Sequence, residues 1–340
     1  MKTTIFTLNI QLFAAGDRAV FNPNVSTQTS PKTMAPTMKD FYDTALLETA
    51  RATMVWAQFA KHQTATHGKR AEWRRFDIFA PATTPLTEAQ APTGKSFGMS
   101  NITGEIAQYG DFTTISDVLE LAAFDDVIYG ATEEMGAAMG ETYDVLTREL
   151  VALGNSVQYA PNLGTDGVEE AVTTRGGLDG TSRLTPKVVH AASTWLKKHR
   201  TPKINGYYIA VIHPSVAHDL METDEWKEFQ KYTTSDKIFK GEIGELYGVK
   251  FIESDTAKII KTGENAIYCT QFFGKDAFGL IDLEGAGQEM IIHSKDEIGG
   301  PLDQFSTIGY KFMHGGAILY QERMLRVESN SSYSATDEAN

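Results

Sequence analysis

A single cysteine, Cys269, stands among the 340 residues, which excludes an internal disulfide framework and a cysteine-built zinc site. No apolar run approaches the roughly 18 residues that would mark a membrane-spanning helix. Basic residues are in deficit. Lys plus Arg number 31 against 44 Asp plus Glu, a formal charge of −13, so phosphates are repelled by the surface taken as a whole. Catalytic patterns are missing too. There is no Gly-x-Ser-x-Gly elbow, no His-Glu-x-x-His and no calcium-loop pattern. What is present, 41% apolar and 22% charged residues, is the composition of a folded protein.

Residues 1–40 differ from the remainder. They hold Pro23, Pro31 and Pro36, nine Ser or Thr, and four basic against two acidic residues, which leaves −15 for the other 300. Such a segment builds no core of its own. Thr7, Asn9 and Gln11 interrupt the apolar stretch at its start and no small-x-small site follows, so a secretory leader is not expected. Ile5, Phe6, Leu8, Ile10, Leu12 and Phe13 point instead to an arm that orders on a neighbouring subunit.

Periodicity predicts a helix over 40–62, with Phe41, Ala45, Leu46, Thr49, Thr53, Trp56 and Ala60 at near-helical spacings. Over 72–116 the period falls to two. Trp73 and Arg75 alternate with Arg74 and Phe76, Pro81, Pro85, Pro92 and Gly94 mark a long tip, and the chain alternates again from Phe97. This predicts an extended hairpin for which nothing local supplies a surface. Residues 117–153 form the strongest helix signal, about 50 Å long at 1.5 Å per residue. Nine acids oppose Arg148 along it. A Gly-rich loop over 155–184, helices over 185–199 and 214–221, and strands over 207–213, 249–253, 266–272, 278–283 and 289–293 predict an α+β domain. A last strand pair, 305–313 and 317–327, is expected to turn at Gly315-Gly316, and the polar tail 329–340 is expected to be flexible.

Candidate chemistry is sparse. Gly94-Lys95-Ser96 resembles the end of a phosphate loop, but Ala89 stands where the first glycine belongs and no helix follows. His190, His199, His213 and His218 match no zinc spacing. Asp125-Asp126 and Glu133-Glu134 are adjacent on a helix and so diverge by about 100°. They read as a solvated acidic face. Cys269 reads as a small buried residue. No catalytic, cofactor or metal site is expected.

The order of elements, together with particular motifs, resembles the major capsid proteins of tailed bacteriophages (the Johnson fold), in the podovirus-like and prophage branch. The motifs are Leu86-Thr87-Glu88, Pro92-Thr93-Gly94-Lys95 and Asn101-Ile102-Thr103 on the extended loop, and Gln108-Tyr109-Gly110-Asp111-Phe112-Thr113-Thr114-Ile115-Ser116-Asp117 leading into the spine helix. Further on come Gly241-Glu242-Ile243-Gly244 with Tyr247-Gly248-Val249, then Gly300-Pro301-Leu302-Asp303 through Gly309-Tyr310-Lys311. Asn9-Ile10-Gln11-Leu12-Phe13-Ala14 resembles the start of coat proteins from Gram-positive phages. The sequence departs from these relatives at Ala89-Gln90, where glycine commonly follows Leu-Thr-Glu. No acceptor for a lysine cross-link through Lys95 is visible.

The resemblance implies an N-terminal arm (1–40), a helix leading into the extended loop (41–69) and the extended β-hairpin loop itself (70–116). The spine helix with the first part of a peripheral domain (117–184), an axial domain (185–298), the peripheral closing strands (299–328) and a flexible tail (329–340) follow. It implies no enzyme but a shell subunit that self-assembles through hexamers and pentamers around double-stranded DNA. Its partners would be a separate scaffolding protein, a portal protein, DNA held without sequence-specific contacts and a possible decoration protein, with no membrane. It would be made in the bacterial host cytoplasm and reside in the virion capsid. Arg70, Arg74, Arg75, Glu88, Lys95, Tyr109, Asp125 and Glu133 are the expected assembly contacts, the arginines of the hairpin base meeting acids of an adjacent spine helix. A cellular nanocompartment shell of the same fold, an enzyme with an unrecognised site, and a decoration or tail protein are the alternatives.

Overall fold

The computed structural model describes residues 54–340 except 66–67, 78, 80, 87, 89, 92–93, 123–126, 231–243, 264, 285–286, 296–301, 303 and 335. In chain order the elements are β1 (Lys61–Ala65), β2 (Arg70–Phe76), β3 (Met99–Ser116), α1 (Asp117–Ala122), α2 (Val127–Ala152), β4 (Val157–Tyr159), β5 (Asn162–Leu163) and β6 (Glu169–Glu170). Then follow α3 (Pro186–Lys198), β7 (Tyr208–Ile212), α4 (Pro214–Glu222), α5 (Asp224–Gln230), β8 (Glu245–Leu246), β9 (Val249–Glu253) and β10 (Ile259–Thr262). The last elements are β11 (Asn265–Phe273), β12 (Phe278–Leu283), β13 (Glu289–His293), β14 (Phe305–Ile318) and β15 (Met324–Ser329).

Among the described residues two large sheets carry the fold. One has seven strands in the order β4-β15-β11-β7-β9-β8, with β10 also on β11. Its strand β7, Tyr-Ile-Ala-Val-Ile, is buried throughout because both faces of the sheet are covered. Tyr208, Ala210 and Ile212 face a core built with Val189, Ala192 and Leu196 of α3 and Val216 and Leu220 of α4. Ile209 and Val211 face the other way, against Trp56, Val151, Phe273, Phe278 and Met324. Thr185 in extended conformation followed by Pro186 starts α3, where a missing amide hydrogen costs nothing.

The second sheet has the order β1-β12-β14-β3-β2, with β13 also on β14. Helix α2 lies along one face of β14. Tyr143 meets the rings of Phe312 and His314 at 5.6 and 5.0 Å, and the Thr147 hydroxyl is 3.1 Å from His314 Nε2. Burial drives the His314 imidazole down to about 4, so it sits neutral beneath the helix. The sheets interleave in sequence: β12 and β13, from the 185–298 stretch, join the hairpin's sheet, and β15 joins the sheet of β7, β9 and β11.

Four expectations need correction. The helix expected over 40–62 is not helical where it is described. Residues 57–59 make one 3-10 turn, and Lys61–Ala65 run as a strand parallel to β12, with His62 Nδ1 2.8 Å from Asp282. The apolar spacing of Trp56 and Ala60 is satisfied by the sheet core instead, and residues 40–53 lie outside the described residues.

The hairpin does have a local surface at its base. Beyond its pairing with β2, strand β3 pairs with β14 from Glu105 to Ser116.

Gly315-Gly316 is not a turn. Strand β14 runs straight through it, and the chain reverses later, at the 3-10 turn Gln321–Arg323, to enter the other sheet. The glycines serve close approach: a Cβ on Gly315 would stand 2.5 Å from the Glu105 carbonyl oxygen.

The tail is docked, not flexible. The Ser331 hydroxyl donates to the Ser215 carbonyl at 2.8 Å, Ser332 N–H donates to Asp219 at 2.9 Å, and Tyr268 Oη donates to Asp337 at 2.7 Å. A polar tail is thus held by polar partners, a fit that composition does not disclose.

Candidate assembly interface

The hairpin is fixed at one end and bare at the other. At the base Trp73 is buried with Ala71, Ile281, Ala317 and Leu319. Gly104 and Gly279 admit its ring, since a Cβ at either position would meet it at 2.9 and 3.0 Å. Arg70 stands opposite Glu105 in the register, and its Nε donates to the carboxylate at 2.9 Å. Side chains 70% and 71% exposed make this pair worth at most about 1 kcal/mol. Arg75 lies 5.4 Å from the centroid of the Tyr320 ring, which Arg323 covers at 3.6 Å.

Toward the tip the side chains lose their cover. Phe97 stacks on Phe76 at 4.9 Å and on Phe79 at 5.7 Å, yet it is 61% exposed. Leu86 and Met99 are exposed beside them in sequence. These apolar groups cluster at the end of a two-stranded ribbon, with no covering element of the described chain. A second exposed set lies where α1 begins: Val118, Leu119 and Leu121, with Phe112 and Phe305 on the neighbouring strands. Asp117 and Glu120 give that helix start a negative charge and no basic residue balances it within the helix.

The sequence-predicted contacts are therefore divided. Arg70 and Arg75 are engaged within the chain by Glu105 and Tyr320. Arg74, on the opposite face of β2 from Trp73, is exposed and has no ion pair among the described residues. Glu88, Lys95 and Glu133 are exposed. Tyr109 packs in its own sheet, its ring 5.9 Å from Phe312 and 6.2 Å from His314. Asp125 lies outside the described residues. The exposed aromatics at the tip escaped the sequence reading, because alternation reports a strand without reporting which face is covered.

A junction at Asp144 was also missed. Its Oδ1 accepts from the amides of Val55 at 3.0 Å and Trp56 at 2.8 Å, so α2 pins the chain just before β1. Burial pushes the carboxyl up, and hydrogen bonds from the Trp56 and Val55 amides, the Thr256 hydroxyl and the Ala57 amide pull it back, with a net rise. Nearby Glu149 goes the other way. Burial works upward there but is outweighed by Lys258 and Arg148, which hold it below its ordinary value.

Of the histidines, His213 caps α4 by accepting from Ser215 N, His190 lies against Tyr247 and His199 against Trp195. Among the described residues His218, Asp219 and Glu222 bring ligand atoms within 4.8 Å of one another, but Asp219 is taken up by Ser332. No helix of the described residues is long and apolar enough to cross a membrane.

A hairpin fixed to a sheet, a helix lying along that sheet and a second sheet covered on both faces define the Johnson fold of tailed-phage capsids. The likeness to solved capsids shows it. The capsid of cyanophage P-SCSP1u matches with a TM-score of 0.66 at 16% identity, over 87% of this chain and 94% of its own. The cyanophage Pam1 capsid matches at 0.66 and 14%, over 91% and 100%. The capsid of Helicobacter pylori bacteriophage KHP30 matches at 0.66 and 9%, over 89% and 98%. No curated protein sequence matches the chain. The chain belongs to the phage capsid protein family, whose model matches residues 101–319. It is a major capsid protein, a structural subunit of the virion shell.

Proposed function

We propose that copies of this chain join as hexamers and pentamers into an icosahedral shell around the double-stranded DNA of a tailed phage or prophage. The observation that carries this reading is the bare aromatic tip of a hairpin whose base is locked into its own sheet by Trp73. The tip of one subunit covers its phenylalanines on the next, and many modest contacts of this kind sum by avidity. Arg74 assists by facing acids near the start of the neighbour's spine, where Asp117 and Glu120 lie. Glu88, Lys95 and Glu133 join the same interface from exposed positions.

The seven-stranded sheet with α3 and α4 serves as the axial part and the six-stranded sheet with α2 as the peripheral part. The subunit is made in the host cytoplasm. It assembles with a separate scaffolding protein and a portal, holds DNA without sequence-specific contacts, and leaves room for a decoration protein. It carries no catalytic step of its own. The nanocompartment alternative draws no support from the family match.

Phe97→Ser tests the reading. It replaces an exposed side chain, so the melting temperature of the unassembled chain stays within about 1 °C of wild type, as for surface substitutions in general. Sedimentation of the variant co-expressed with its scaffold shows a loss of shells. Wild-type shell yield would overturn the role given to the tip.

A further inference from the structure

Four buried side-chain atoms near the last turns of α2 meet no hydrogen-bonding partner among the described residues. They are Trp56 Nε1, Arg148 Nε and both amide atoms of Gln271. Their residues are 0, 4 and 2% exposed, so bulk solvent does not serve them.

They occupy one region. Asp144 and Arg148 stand one turn apart on the same helix face, and Asp144 Oδ1 holds the Trp56 amide at 2.8 Å. Arg148 Nη1 reaches down to the Thr256 carbonyl at 2.7 Å. Gln271 lies opposite Val211 on β7 and Arg326 on β15. Residues opposed in a ladder share a sheet face. Val211 belongs to the core that contains Trp56 and Val151, and Arg326 donates to the Ala152 carbonyl, one turn beyond Arg148. The Gln271 amide therefore lies on the sheet face that α2 covers, under the 148–152 turn.

We propose that ordered water molecules occupy this polar seam and bridge α2, the Trp56 segment and the seven-stranded sheet. Leaving one buried donor or acceptor unmade costs about 1–3 kcal/mol, and a native interior does not bear four such losses in one region. The set mixes donors (Trp56 Nε1, Arg148 Nε, Gln271 Nε2) with an acceptor (Gln271 Oε1). A cation there would face the Arg148 guanidinium and an anion the Asp144 carboxylate. Water donates and accepts, and typically makes about three bonds when buried. The seam lies where the chain preceding β1 meets the helix and the sheet, so the bridging waters set how firmly the three are joined.

Two measurements decide the proposal. The first is a reconstruction of the assembled shell at about 2 Å. Density peaks within hydrogen-bond distance of both the Gln271 amide and Arg148 Nε are expected. Continuous packing, with these side chains bonded directly to one another and no peaks, would overturn it. The second is Gln271→Met, which keeps the volume and removes the amide. If water bridges the amide, the variant strips partners from that water, and the shell melts about 2–4 °C lower at a fixed scan rate. If the amide is merely unsatisfied, removing it relieves a penalty. An unchanged or higher melting temperature would then refute the proposal. Should the variant not fold, the wild-type map decides alone.

Discussion

Gly316→Ala adds one methyl group at a place where the strand has no room for it. Strand β14 passes there between β3 and β12 with α2 alongside. The new Cβ would stand 2.6 Å from the Gly279 carbonyl oxygen, 2.6 Å from Leu150 Cδ2 and 3.0 Å from Leu280 Cδ2. Leu150 and Leu280 are able to rotate away at a modest cost. The Gly279 carbonyl is not, because its strand is fixed by the ladder that pairs Gly279 with Ala317. Overpacking of this kind costs about 1–3 kcal/mol. At about 2 °C per kcal/mol for a chain of this size, the unassembled subunit should melt about 2–6 °C lower.

Gly130→Ala is the matched control. Nothing lies within 4 Å of a Cβ at Gly130, which is inside α2, so the same methyl group should leave stability unchanged or raise it by up to about 1 kcal/mol. The assay is intrinsic fluorescence during a thermal scan at fixed rate, with soluble yield as a second readout. A Gly316→Ala variant that melts with wild type would refute the close-packed strand and restore the turn.

Other outcomes follow from the same contacts. His314 is neutral in the folded chain down to about pH 4, whereas an unfolded imidazole takes its proton near the ordinary 6.5. Its contribution to stability is thus complete above about pH 6.5 and is lost as the pH falls toward 4, by about 3 kcal/mol in all. Thermal scans of wild type and His314→Gln across that window should show the steeper acid loss in wild type, and equal slopes would contradict it. Asp144→Ala leaves the Val55 and Trp56 amides without an acceptor and should cost about 2–4 kcal/mol in urea unfolding, whereas Asp144→Asn, which keeps an acceptor oxygen, should cost less. Arg70→Ala should lower stability by no more than about 1 kcal/mol, because its ion pair with Glu105 is exposed. Arg74→Glu should leave the melting temperature in place and reduce shell yield in sedimentation. An unaffected yield would remove Arg74 from the interface.

The parts of the fold that were legible are those whose signal is local. Period-two alternation located both arms of the hairpin, period-3.6 spacing located α2, and the strand expected over 207–213 is found at Tyr208–Ile212. What escaped depends on partners distant in sequence. The helical spacing over 40–62 runs through Trp56 and Ala60, but Trp56 is drawn into a sheet core and Lys61–Ala65 pair with Gly279–Leu283, more than 200 residues away. Gly315-Gly316 has the composition of a turn, and only the crowding by Glu105, Gly279 and Leu150 explains it otherwise. The tail 329–340 is polar enough to be free, and it is held by Asp219, Ser215 and Tyr268, none of which its own sequence reveals. At the interface, charge pointed to three arginines. The register spends Arg70 within the chain, the Tyr320 ring takes Arg75, and charge gave no sign of the exposed Phe76, Phe79 and Phe97.

The central claim is that this chain builds a closed shell through a hairpin that reaches a neighbour. Its most direct test is electron cryomicroscopy of particles formed by the purified chain with its scaffolding protein. The account predicts closed icosahedral shells in which Phe76, Phe79 and Phe97 of each subunit are covered by an adjacent copy. A chain that stays monomeric or dimeric under every condition, or a shell in which those rings face solvent, would contradict it.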